Sequence, residues 1–172
     1  MKLAFKKVSF YKRGILYRLL EDGYSFDINW KSCFEKDWLE FDDFFFDNLE
    51  IADKCGFITE LAGEPIGFAS WDPRNRPEYV EIGHNCIASE YKGNGYGKRQ
   101  LQEAIHRIQQ YDNPQKIIVG TNSGLIAQHN YESVGFKLSR RRKNETHSKF
   151  SGDFLDYEMI LYGKADSDFG EV

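Results

Sequence analysis

Apolar and polar positions alternate along the chain with two periods, and the switches between them mark out a series of elements. KLAFKKV, near the N-terminus, reads as a first strand. GILYRLLEDGYSF and SCFEKDWLEFDDFFFDNLEIADK carry helical spacing, the second with Ser32 placed to cap it. Both need a sheet to pack on, because isolated helices of this length are marginal in water. In CGFITELAGEPIGFASWD two apolar runs flank AGEP, a glycine and proline turn signal, which predicts an antiparallel hairpin. After PRNRP, the stretch EYVEIGHNCIA predicts a further strand. Regular alternation sets Val80, Ile82 and Cys86 on one face, with Glu81, Gly83 and Asn85 on the other. A helix is expected from about Lys98 to Gln110, where Leu101, Ala104, Ile105 and Ile108 form one apolar stripe. Asn113-Pro114 ends it, and KIIVGT suits a buried strand. SGLIAQHNYESVG predicts a short helix closed by Gly135, and FKLSRRR and FLDYEMILY a final pair of strands.

This order predicts a mixed α/β fold. The strand–helix–strand unit around residues 79–121 implies a right-handed crossover joining parallel strands. Residues 1–163 read as one domain and the acidic residues 164–172 as a frayed tail.

Composition narrows the function classes. A chain of 172 residues can bury a core without disulfide staples. With 41% hydrophobic and 29% charged residues it is neither a disordered nor a membrane-embedded type. No apolar run reaches a membrane span, and the first twenty residues lack the pattern of a secretory signal, so a cytoplasmic location is expected. Cys33, Cys55 and Cys86 share no CxxC spacing, and His84, His106, His129 and His147 form no ligand pair. Neither a disulfide framework nor a metal site is expected. The net charge of −4 argues against general nucleic-acid binding.

The chemistry concentrates in EYKGNGYGKRQ, residues 90–100. Gly93, Gly95 and Gly97 lie between a predicted strand and a predicted helix, where backbone N–H groups lack intrahelical partners and the helix dipole favours an anion. Bare α-carbons let such amides converge on a phosphate, and Lys92, Lys98 and Arg99 add positive charge. A triphosphatase loop is excluded, because Lys92 and Arg99 stand where its first glycine and its hydroxyl belong; the dinucleotide fingerprint fails at Lys98. A capping turn without ligand stays open.

The sequence resembles the GNAT superfamily of N-acetyltransferases. Lys92-Gly93-Asn94-Gly95-Tyr96-Gly97 fits its acetyl-CoA signature [R/Q]-x-x-G-x-[G/A], with lysine in place of the planar donor. ELAGEPIGFASW is similar to the family's second and third strands, and Tyr131-Glu132-Ser133-Val134-Gly135-Phe136 to its downstream Tyr-Glu-x-x-Gly-Phe pattern. The likeness covers residues 55–138; the first fifty residues match only in element order. It implies a mostly antiparallel sheet flanked by helices, with the parallel crossover at the acetyl-CoA site.

The resemblance also implies roles. Amides from Gly93 to Lys98 would hold the pyrophosphate of acetyl-CoA, with the pantetheine arm beside Cys86, Ile87 and Ala88 and touching Asn122. Tyr131 would hydrogen-bond the CoA sulfur, and Glu81 would take the amine proton directly or through water. A bulge at Gly83 would bring His84 or Asn85 to the cleft. The acceptor is expected to be a primary amine of a small molecule or a protein. The aromatics and acids of WKSCFEKDWLEFDDFFFDN either greet a cationic amine or form an ordinary amphipathic helix. A homodimer stays open, as does a non-catalytic acyl-CoA-binding module on the same fold.

Overall fold

The computed structural model describes residues 2–145 and 152–161. The proposed tail and the tip of the last hairpin lie outside them. The elements are β1 (Leu3–Lys6), α1 (Ile15–Gly23), α2 (Trp30–Asp47), α3 (Leu49–Cys55), β2 (Gly56–Leu61), β3 (Glu64–Asp72) and β4 (Tyr79–Ile87), followed by α4 (Tyr96–Arg107), β5 (Lys116–Asn122), α5 (Ala127–Ser133), β6 (Lys137–Arg142) and β7 (Phe154–Ile160). The strands form one sheet in the order β1-β2-β3-β4-β5-β7-β6. Among the described strands only β4 and β5 run parallel, joined through α4, so the expected mixed sheet with one crossover is the fold observed. β6 is pushed to the edge and is exposed throughout; Lys137, Arg140, Arg141 and Arg142 there discourage strand addition by another chain. Among the described residues no helix is long and apolar enough to cross a membrane.

Each face of the sheet buries its own core. Phe57, Ala69, Trp71, Val80, Ile82, Ile117 and Val119 meet Leu101, Ala104, Ile105 and Ile108 of the α4 region. On the opposite face Ile58, Phe68 and Cys86 meet Leu16, Leu19 and Leu20 of α1 and Trp38 and Phe45 of α2. The long helix expected over residues 32–54 is two helices, broken at Asn48, whose φ of −132° and ψ of 58° leave the helical region. Ser32 is not its cap. Trp30 begins the helix, and the Ser32 hydroxyl donates to the Asn29 carbonyl inside the first turn.

The cap that matters comes from elsewhere in the chain. Asp42 on α2 is 3% exposed, and its carboxylate accepts from the amides of Gly14 at 2.7 Å, Leu16 at 3.0 Å and Tyr17 at 3.2 Å. A buried carboxylate thus satisfies the free N–H groups at the start of α1 and complements its dipole. Asp42→Ala removes all three acceptors at once, so a loss of about 3 kcal/mol is expected, read as a lower urea midpoint with unchanged slope. Asp42→Asn, which keeps one acceptor oxygen, should lose about half as much.

β4 departs from regular alternation. Ala69 pairs with Asn85 but Trp71 pairs with Ile82, so Ser70 faces both Gly83 and His84. This extra residue is a bulge, and it corrects the expected facing of the strand. Val80 and Ile82 point to α4, whereas Cys86, two positions beyond the bulge, joins Phe68 on the α1–α2 face. The ladder between β4 and β5 stops at Ile82 and Val119; past that point β4 continues on β3 to Ile87, and β5 on β7 to Asn122. The two parallel strands therefore part and leave a gap at their C-terminal ends.

Candidate active site

The gap opens one edge of β4. The Ala88 amide donates to the Ile66 carbonyl at 2.8 Å, which sets the phase of the β3–β4 ladder. Ala88 and Cys86 thus turn their backbone groups to β3, while Asn85 and Ile87 turn theirs into the gap. A cleft of about 350 Å³ runs along this edge from Asn85, Cys86 and Ile87 to the glycine loop. Ala88 itself is buried with its amide already used.

Three glycines of the loop do two different jobs. Gly93 and Gly95 have φ of +79° and +78°, and a Cβ on either would meet nothing within 4 Å. Their need is conformational, and the space over them is open. Gly97 is a packing position, where a Cβ would sit 3.1 Å from Asn130 Nδ2 on α5. Gly95 occupies the cap of α4 with no side-chain partner for the helix amides. Among the described residues, no backbone bond is made by the amides of Gly93, Asn94 or Gly95. Asn94 braces the turn by donating to the carbonyls of Tyr91 and Lys92 at 3.2 and 3.1 Å. A concavity lined by amides fits the diphosphate of a nucleotide cofactor.

Lys92 lines the cleft, donates to the Gly23 carbonyl at the end of α1, and lies 4.8 Å from the Phe26 ring centroid. Burial lowers its pKa. Tyr96 packs beside Leu3, Leu61 and Ile66, away from the cleft, and the Lys98 side chain is exposed outside it. Their contribution is confined to the backbone of the first turn.

A second cleft, of about 270 Å³, holds Tyr131, His84, Phe34, Asn122, Arg142 and Asp156. The two clefts share Tyr24, Asn85, Leu125 and Ala127, so they meet end to end at the splay. Tyr131, 4% exposed, lines the second cleft but not the first. Burial raises the pKa of its hydroxyl, and a hydrogen bond with Asn85 works in the opposite direction. Asn122 has other work: its Nδ2 donates to the Gly152 carbonyl at 3.0 Å, and its Oδ1 accepts from the Gly124 amide at 2.8 Å. Glu81 is exposed and lines neither cleft; it shares its sheet face with Asp72, its partner in register.

The bulge brings in His84 instead. Its ring lies edge-on to Phe41 at 4.5 Å and against Phe68 at 6.5 Å. Burial pushes its pKa from 6.5 down to about 4, with the negative charge of Asp37 opposing. His84 is therefore neutral at pH 7. As pH falls below about 6.5 the unfolded chain takes up a proton that the folded chain refuses, so stability present above that pH drains away toward pH 4. Wild type should lose about 2–3 kcal/mol more than His84→Phe between pH 7.5 and 4, measured by urea midpoints. Parallel curves would contradict this.

The aromatics of α2 form mostly core. Trp30 and Phe34 stack on Trp38 at 5.7 and 5.4 Å, and Phe41 packs on Phe45 at 4.5 Å. Of these only Phe34 reaches the second cleft. The acids Asp43 and Asp47 on the outer side pair with Arg13. Tyr24 and Asn130 line the first cleft without any sequence signal that marked them. Among the described residues no group of three or more His, Cys, Asp or Glu side chains is placed to hold a metal ion.

Comparison with known proteins agrees with this fold. A family model described as "Acetyltransferase (GNAT) family" matches residues 16–136. A curated relative, N-acetylaspartate synthetase of Xenopus tropicalis, is 29% identical over 84 residues, which span 48% of this chain and only 31% of that protein. The ribosomal-protein-alanine N-acetyltransferase of Brucella melitensis superimposes with a TM-score of 0.69 at 20% identity, covering 94% of this chain and 100% of that one. A GNAT family acetyltransferase from Elizabethkingia anophelis, solved with acetyl-CoA bound, gives a TM-score of 0.63 at 18% identity over 93% of this chain and 97% of its own.

Proposed function

Because the chain belongs to the acetyltransferase (GNAT) family, we propose that it moves an acetyl group from acetyl-CoA to a primary amine. The observation that carries this reading is a cleft ending in bare loop amides that shares Tyr24, Asn85, Leu125 and Ala127 with a second cleft lined by the buried Tyr131. Acetyl-CoA supplies an activated acyl thioester. The amides of the Gly93–Gly97 loop and of the first turn through Lys98, with Lys92 beside them, bind its diphosphate. The backbone edge at Asn85 and Ile87 pairs with the amides of the pantetheine arm as an added strand would. One N–H of that edge also polarises the thioester carbonyl.

The acceptor nitrogen enters from the second cleft and forms its bond to the carbonyl carbon, while the C–S bond breaks and its electron pair stays on sulfur. Tyr131 donates a hydrogen bond that strengthens as charge gathers there. A phenol is a weaker acid than a thiol, so the bond need not become a full transfer. The nitrogen sheds its proton to water in the second cleft. Glu81 can take part only through such water, given its place outside both clefts.

The acceptor is an amine of a small molecule or of a protein. The names of the similar proteins speak of N-acetylaspartate, whose amide nitrogen is the α-amine of aspartate before acetylation, and of ribosomal-protein alanine, so α-amines head the panel to be tested. The free cysteines Cys33, Cys55 and Cys86 suit a reducing compartment, and the cytoplasm is proposed. Thiol release from acetyl-CoA should rise above background hydrolysis with at least one of amino acids, N-terminal peptides, polyamines or aminoglycosides. A broad panel with no release would favour a non-catalytic acyl-CoA-binding module.

A further inference from the structure

The second cleft carries a charged pair that the acyl-transfer chemistry leaves unused. Leu155 and Tyr157 of β7 are buried in the core beneath α4, so alternation turns Phe154 and Asp156 to the opposite face of the sheet. Arg142 of β6 stands opposite Phe154 in register, and all three residues line this cleft. On the other side of Asp156 its partner in register is Gly120 of β5, also in the lining. A Cβ there would meet only Asp156 Oδ1, at 3.9 Å. Bare backbone at Gly120 is therefore part of the cleft wall, next to the charged pair.

Arg142 is held by three contacts. Its Nε donates to Asp156 Oδ2 at 3.0 Å, its Nη2 donates to Oδ1 at 2.9 Å, and the guanidinium carbon lies 5.4 Å from the Phe154 ring centroid. The two bonds occupy one edge of the guanidinium fork. Of its five N–H groups three remain, both of those on Nη1 among them. That second edge has the geometry to take a carboxylate in two parallel bonds. Arg142 and Asp156 are the only residues of the lining that are charged at pH 7, since burial keeps His84 and Tyr131 neutral. Arg141 pairs with Asp153 on the same strands but lines neither cleft, so what sets Arg142 apart is its place.

We propose that Arg142, oriented by Asp156 and Phe154, selects acceptors that carry a carboxylate beside the amine, so that the substrate class is free amino acids. The proposal rests on the reading of the second cleft as the acceptor's side. Asp156 fixes the near edge of the fork, and the acceptor's carboxylate takes the far edge. An anion there restores a negative partner to a guanidinium whose charge Asp156 already balances only from one side. Polyamines and aminoglycosides bring further positive charge and no carboxylate, which sets them against Arg142.

The test measures thiol release from acetyl-CoA with the twenty standard amino acids, spermidine and an aminoglycoside. The best amino acid is then compared with analogues in which each of its carboxylates is converted in turn to the amide. Wild type should favour the acid over one such amide by about 10–10²-fold in kcat/KM, the size of a charge-assisted pair. Arg142→Gln should lose that preference: kcat/KM for the acid falls by the same factor, mainly through KM, while the amide stays within about twofold. Arg142→Lys keeps the charge without the fork and should fall between.

KM for acetyl-CoA should stay within about twofold in both variants, because Arg142 does not line the first cleft. The pair is partly exposed, with side chains 45% and 33% accessible, so the variants should keep the urea midpoint of wild type closely. A merely structural role predicts equal losses for acid and amide. Equal losses of that kind, a wild type that uses acid and amide alike, or spermidine acetylated better than any amino acid would overturn the proposal while the acetyltransferase reading stands. No release with any amine would overturn that parent reading instead.

Discussion

Tyr131→Phe is expected to lower kcat by about 10²-fold while leaving KM for acetyl-CoA within about twofold. The ring has reasons to stay where it is. It packs edge-on against Phe136 at 5.8 Å and tilted against Tyr157 at 6.2 Å, and neither contact uses the hydroxyl. Phenylalanine fills the same volume, so the change removes one donor and little else. Stability should fall by about 1–2 kcal/mol, the size expected when a buried hydroxyl's polar contacts are lost. Steady-state thiol release and a urea curve on the same preparation separate the two effects. A drop in stability with kcat intact would make Tyr131 a core residue.

The second large effect concerns the cofactor. Gly95→Val should weaken coenzyme A binding by about 10²-fold or more, the size expected when one or two charge-assisted amide bonds are lost. Valine cannot hold a φ of +78° without strain, so the loop must move and its amides no longer converge. Gly63, in the β2–β3 turn, supplies the control. Its φ is +87° and its Cβ position is equally open, but it lines neither cavity. Gly63→Val should therefore destabilise the protein by a similar amount, about 1–2 kcal/mol, and leave calorimetric affinity for coenzyme A unchanged. Equal losses of affinity in both variants would mean that global destabilisation, not loop geometry, sets binding.

These two sites differ in how plainly the sequence showed them. The glycine loop was legible because its signal is local: positive φ at Gly93 and Gly95 demands glycine whatever the rest of the chain does. Element order was legible for the same reason, since turn residues such as Gly63 and Asn113 and the stripe on α4 report their immediate surroundings. The bulge in β4 was a different matter. Alternation carried Cys86 to the wrong face because one extra residue opposite Ser70 inverts everything beyond it. The sequence raised Gly83 as a bulge site but held no way to count the pairing on β3.

Long-range partners were equally invisible. Asp42 reads as one more acid on an amphipathic helix, and only tertiary structure shows it capping α1, 28 residues earlier in the chain. Gln100 did leave a trace as a polar residue on an apolar stripe, yet its hydrogen-bond partners Thr59, Phe68 and Asn85 arrive from three strands. Glu81 and Asn122 carried roles by resemblance alone. Their surroundings, one exposed beyond both clefts and one already bonded to Gly152 and Gly124, are set by contacts that no motif encodes.

The most direct measurement is a titration of ¹⁵N-labelled protein with coenzyme A, following backbone amide resonances. The account predicts large, saturable shifts at Gly93, Asn94, Gly95, Tyr96, Gly97 and Lys98, with a second set at Asn85 and Ile87 along the open edge of β4. Saturation that leaves the loop amides in place, or no saturable change at any concentration, would contradict it.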